Sequence, residues 1–153
     1  NRNYLENKVM LNVCGVGESA YLNQMIEDGN VSEFVNNIGW VDGVRKEQLL
    51  MESDVLIQPS YIEAFGISVL EAMSYRLPVI GSKVGGIVDL IDDGVSGFLI
   101  DAGDMEKFME KLQLFIEKPE FVEQMGLVAF EKAKQYYPIV IEKQLCDLYK
   151  SLL

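Results

Sequence analysis

Glu63 and Glu71 stand eight residues apart within Pro59-Ser60-Tyr61-Ile62-Glu63-Ala64-Phe65-Gly66-Ile67-Ser68-Val69-Leu70-Glu71-Ala72-Met73, in a chain without histidine. Carboxylates accept hydrogen bonds from hydroxyl groups and stabilise developing positive charge. The segment that carries them changes character midway: Asp54-Val55-Leu56-Ile57-Gln58 is strand-like and stops at Pro59, a helical apolar period runs through Ser68 to Tyr75, and a loop between them turns at Gly66. That order sets Glu63 on a loop at the carboxyl end of a strand and Glu71 on the first turns of a helix. The free N–H groups and positive dipole end of such a helix attract phosphate.

Each glutamate also fits a purely structural role, because Ser60-x-x-Glu63 and Ser68-x-x-Glu71 both spell capping boxes. Phe65-Gly66 between the two, and Pro59-Ser60 before them, join these into one ordered string. A nucleotide sugar suits that string. Its ribose diol matches Glu71 as an acceptor of two hydrogen bonds, its diphosphate matches the N–H groups of Ile67 and Ser68, and its sugar hydroxyls are within the reach of Glu63. The sequence has no G-x-x-x-x-G-K-[ST] phosphate loop and no D-x-D pair, and Asp92-Asp93-Gly94 lacks the further ligands of a calcium loop, so the diphosphate binding expected here is metal-free. Gly15-Val16-Gly17-Glu18-Ser19-Ala20, with Asp42 further on, meets the dinucleotide fingerprint G-x-G-x-x-A. A glycine turn that lets backbone approach a ligand held elsewhere fits the same residues. Lys83, in the turn before Gly85-Gly86, either faces the diphosphate or is solvated.

The elements that must position these groups alternate. Periodicity predicts strands at 9–14, 34–39, 55–58, 78–81 and 97–100, with helices at 19–28, 46–52, 67–75 and 87–92 between them. Such alternation means an α/β fold, a doubly wound, Rossmann-like parallel sheet whose ligand lies beyond the carboxyl ends of the strands. From Asp104 onward three helices follow at 105–117, 120–135 and 139–152, broken at Lys118-Pro119 and Tyr137-Pro138. They form a helical C-terminal segment.

At 153 residues and 49% apolar content the chain suits one domain with a sizeable core. A formal charge of −11 argues against a nucleic-acid partner, which rewards clustered Lys and Arg. No run approaches the roughly 18 apolar residues of a membrane span, and 1–7 lack the apolar core of a signal peptide, so a cytoplasmic location is expected. Cys14 and Cys146 have no metal-ligand spacing and read as buried spectator thiols.

The residues together resemble the C-terminal, donor-binding domain of retaining glycosyltransferase family 4 (glycosyl transferases group 1), enzymes of the two-domain GT-B fold. The family's E-x7-E motif matches Glu63 to Glu71, and its continuation matches Ala72-Met73, Pro78-Val79-Ile80 and Gly85-Gly86. Gly15-Val16-Gly17-Glu18, Gly39-Trp40-Val41, Asp54-Val55 and Gly94-x-x-Gly97-Phe98-Leu99 are similar as well. The resemblance implies sugar transfer from a nucleoside-diphosphate donor, with UDP or GDP as the carrier, with retention at the anomeric carbon, and without a cofactor or metal. It implies that Glu63 is catalytic in the broad sense, touching the sugar near its reacting carbon, and that Glu71 binds the ribose. Ala64, Phe65, Gly66, Ile67 and Ser68 would line the donor, Gly15 would bring backbone close to it, and Val41 would lie against the base. It further implies a fragment, 1–153, of a longer enzyme. A first strand–helix unit with a basic Arg and Lys pair, and an N-terminal domain for a saccharide or lipid-linked acceptor, would precede Asn1. Surface polysaccharide assembly and peripheral membrane association of the full-length enzyme accord with the family. A sugar-nucleotide epimerase of the same architecture, and a non-catalytic dinucleotide-binding or protein-binding Rossmann module, are the alternative readings.

Overall fold

Pro78-Val79-Ile80 is apolar at every position, without the alternation of a half-solvated strand, and a strand of that kind needs cover on both faces. The computed structural model, which describes residues 8–152, supplies it. Its strands and helices are β1 Leu11–Cys14, α1 Ser19–Asp28, β2 Val35–Gly39, α2 Gly43–Glu52, β3 Leu56–Gln58, α3 Ile67–Ser74, β4 Val79–Ser82, α4 Ile87–Leu90, β5 Gly97–Ile100, α5 Met105–Glu117, α6 Pro119–Ala133 and α7 Pro138–Ser151. A 3-10 turn at Lys134–Tyr136 joins the last two helices. The residues fall into two compact units, up to Leu49 and from Leu50 onward.

In the first unit β1 and β2 pair in parallel, with Leu11 opposite Val35 and Cys14 opposite Gly39, and α1 makes the crossover. Amides link the strands and the helix: Asn36 Nδ2 donates to Asn12 Oδ1 at 3.0 Å, and Asn37 Nδ2 donates to Asn23 Oδ1 at 2.8 Å. Ile26 and Phe34 are buried. Cys14, expected inside, is exposed, as is Cys146 on α7. Apolar neighbours in sequence do not bury a thiol unless another element packs over it. Partial burial still pushes the Cys14 thiol up, with the Arg45 charge acting the other way.

In the second unit β4 lies between β3 and β5, all parallel. The register aligns Leu56, Val79 and Gly97 in one row and Ile57, Ile80 and Phe98 in the next. Because side chains alternate across a strand, the rows face opposite ways. Val79 joins a core with Val69, Ala72 and Met73 of α3, Ile87 and Leu90 of α4, and Ala129 and Ala133 of α6. Ile80 joins Phe98, Ile100, Phe108, Phe115 and Met125, under α5 and the start of α6. Helices therefore cover both faces, the α/β Rossmann-like arrangement that the alternation predicts.

The end of α3 fixes its position along the sheet. Leu77 N donates to Ala72 O at 3.1 Å and Arg76 N to Met73 O at 3.0 Å, a Schellman closure with Arg76 at φ +63° where glycine is usual. The Arg76 guanidinium rests 5.2 Å from the Phe130 ring centroid on α6. Gly126 lets α6 approach closely, since a Cβ there would meet the Arg76 carbonyl oxygen. A Lys132–Asp92 ion pair at 2.7 Å ties α6 to the turn before β5.

Candidate donor site

The loop from Pro59 to Gly66 leaves the carboxyl end of β3 and enters α3. Gly66 is the residue before the helix, at φ +93° and ψ 48°, a left-handed conformation that glycine adopts without strain from a Cβ. No side chain caps α3. Neither predicted capping box forms, because the helix starts at Ile67: Ser68 already lies inside the first turn and Ser60 is seven residues upstream of the start. Ser60 Oγ instead accepts from Gln58 Nε2 at 2.9 Å. The two caps as spelled are thus absent, and Ile67 and Ser68, both exposed, open a helix with no side-chain cap.

Glu63 serves backbone N–H groups at the entry to the helix, as the structural reading expects, but without a serine partner. Its Oε1 accepts from Ala64 N at 3.1 Å and from Gly66 N at 3.3 Å, so the carboxylate folds over its own loop and shapes the turn into α3. The amides of Ala64 and Gly66, two residues expected to line the donor, face Glu63. The side chain is half-buried, whereas Ile62 beside it is 92% exposed. Glu71 lies on the second turn of α3, also half-buried, on a helix held by the fully buried Val69, Ala72 and Met73. The Phe65 ring meets Tyr136 edge-on at 6.0 Å between centroids, so its side chain anchors the loop to the C-terminal helices.

Glycines pack beneath the loop. Gly86 N donates to Ala64 O at 3.1 Å. A Cβ on Gly85, whose φ is +47°, would fall on the Glu63 carbonyl oxygen and 2.8 Å from its carbonyl carbon; one on Gly86 would lie 2.5 Å from Phe65 O and 2.7 Å from Phe65 Cα. The turn at Gly85-Gly86 is a close backbone contact. Gly103, at φ +86°, similarly abuts the Tyr61 ring. Tyr136 and Gly103 carried no sequence signal, since each is remote along the chain from the residues it supports. Lys83 is exposed, and its N–H donates to Ile100 O at 2.7 Å.

Gly15 and Val41 belong to the first unit. Gly15, at φ +142°, donates its N–H to Gly39 O at 2.8 Å and joins the ends of β1 and β2. Val41 is half-buried just past β2, beside Trp40, which is 68% exposed. Asp42, which the dinucleotide fingerprint would need at the end of a strand, lies three residues beyond β2, and its backbone oxygen accepts from Lys46 N at 3.3 Å at the start of α2. Among the described residues no cluster of three or more His, Cys, Asp or Glu side chains could hold a metal ion, and no helix is long and apolar enough to cross a membrane.

Known proteins resemble this chain in sequence and in fold. The trehalose synthase of Pyrococcus horikoshii is 37% identical over 133 residues, which cover 86% of this chain and 31% of that protein. The D-inositol 3-phosphate glycosyltransferase of Streptomyces griseus is 35% identical over 101 residues, 66% of this chain and 21% of that protein. Anabaena Alr3699/HepE, solved in complex with UDP and with UDP-glucose, superposes at TM-scores of 0.82 and 0.81 with 27% identity, and the alignment covers 95% and 96% of this chain but only 41% and 42% of that one. The chain thus spans well under half the length of these relatives. Its arrangement of parallel strands and flanking helices is that of GT-B glycosyltransferases. The family model described as glycosyl transferases group 1 matches residues 1–132, and the chain belongs to that family.

Proposed function

We propose that the second unit binds the nucleoside-diphosphate sugar of a retaining, metal-independent glycosyltransferase. The carrying observation is the start of α3: a terminus without a side-chain cap, entered by a loop that bears Glu63 and followed one turn later by Glu71. The N–H groups of Ile67 and Ser68 would receive the diphosphate, where the helix dipole favours negative charge. Glu71 would accept both hydroxyls of the ribose. Glu63 would lie against the sugar and stabilise positive charge as the anomeric carbon loses its leaving group. In the reaction the bond from the anomeric carbon to the diphosphate oxygen breaks, and the electron pair leaves with the diphosphate. An acceptor hydroxyl oxygen forms the new bond on the same face, and its proton passes to the departing phosphate. The UDP and UDP-glucose complexes of the Anabaena relative support a nucleoside-diphosphate donor.

The test uses the full-length protein with UDP-glucose and GDP-mannose as donor probes. Glu71→Ala should raise the donor Kd, and Glu63→Ala should chiefly lower turnover. Unaltered binding and turnover in both variants, or a binding response to NAD and to neither sugar nucleotide, would refute the assignment.

A further inference from the structure

We infer that Gly85 and Gly86 are positioning residues for Glu63, setting the place of its carboxylate through backbone contact alone. The inference rests on the functional reading above only for its kinetic consequence. Three observations carry it. The Gly86 N–H to Ala64 O bond at 3.1 Å ties the turn after β4 to the residue that follows Glu63. The Cβ positions of both glycines are already occupied by loop backbone, with the Glu63 carbonyl at Gly85 and Phe65 O at 2.5 Å from Gly86. Glu63 Oε1 in turn is fixed by Ala64 N and Gly66 N, so a displacement of the loop backbone moves the carboxylate with it. A backbone atom cannot rotate away from an added methyl as a side chain can, so the loop and the glycine turn must move apart. α3 has supports beyond this contact, because Val69, Ala72 and Met73 pack in a core with Val79, Ala129 and Ala133 as well as Ile87.

Gly86→Ala should therefore displace Glu63 more than Glu71. Gly94→Ala is the control for strain alone, since at φ +75° an added methyl strains its own backbone but meets nothing within 4 Å. Hydrogen exchange of the full-length protein, followed on peptides spanning 61–66 and 69–76, reads the geometry without any donor. We expect faster exchange at 61–66 in Gly86→Ala, a smaller change at 69–76, and wild-type exchange at both in Gly94→Ala. With UDP-glucose as donor, kcat of Gly86→Ala should fall about 10- to 100-fold, the scale of an ångström-sized misplacement, while KM changes less than about threefold. Unchanged exchange at 61–66 overturns the inference whatever the kinetics. Faster exchange with wild-type kcat also overturns it, leaving the glycines a packing role. Glu63→Ala is assayed alongside: wild-type turnover in that variant refutes the functional reading, and the exchange data still decide whether the glycines position the loop.

Discussion

Gly126→Ala sets two known effects against each other. In the interior of a helix the replacement of glycine by alanine ordinarily stabilises by about 1 kcal/mol, because the unfolded chain loses freedom. Here the new carbon would lie on the Arg76 carbonyl oxygen, 3.1 Å from the carbonyl carbon and 3.4 Å from Pro78 Cδ. All three atoms belong to the turn between α3 and β4, which the Schellman closure and the buried Leu77 and Pro78 hold rigid. Relief requires α6 to move outward by about 1 Å, loosening the contacts that bury Met125, Ala129 and Ala133. Overpacking of this kind costs about 1–3 kcal/mol, and a rigid backbone neighbour puts it at the upper end, so the net loss is about 2 kcal/mol. For a unit of about 100 residues that lowers Tm by roughly 8–16 °C. Circular dichroism during thermal unfolding measures it, with Leu127→Ala, at a 46% exposed position on the same helix, as a control expected to shift Tm far less. A Gly126→Ala protein with the wild-type Tm or a higher one would refute the close-approach reasoning.

Ile80→Ala and Met73→Ala remove fully buried side chains from opposite faces of β4 and should each cost about 2–5 kcal/mol in urea unfolding; a loss below about 1 kcal/mol would mean that the face is not a packed core. Ser82 Oγ is buried with no protein partner, so Ser82→Ala should unfold at a urea concentration no lower than the wild type. Asp104 caps α5: the Lys107 N–H, and then the Lys107 side chain, hold its carboxyl below the usual range. A depressed carboxyl stabilises the fold above its unfolded pKa and loses that contribution as pH falls through the folded value. Asp104→Ala should accordingly lower Tm near neutral pH, with the difference shrinking in acid, and a pH-independent difference would exclude the charge as its source.

Local chemistry made most of the elements legible. Residues 97–100 and 105–117 need no neighbour to declare a strand and a capped amphipathic helix, and Pro119 and Pro138 open helices because proline is already set for a first turn. The sequence also placed Glu63 on a loop and Glu71 on a helix, since the break at Gly66 separates two periodicities. Other features depend on what packs against what. Arg76 in a left-handed closure is unreadable locally, because glycine is the residue that signals one, and the Phe130 ring on another helix is what receives its guanidinium. Cys14 looks buried by its neighbours in sequence and is exposed, because burial is a property of the surface laid over a strand. Ser60 and Ser68 spell caps in a string of letters, but the helix begins where Gly66 takes a positive φ, and that start decides which serine could cap anything. The types and spacing of the two carboxylates were determined by sequence alone. Where the Glu63 loop rests was decided by tertiary structure, through the turn at Gly85-Gly86, whose missing side chains let one backbone rest on another.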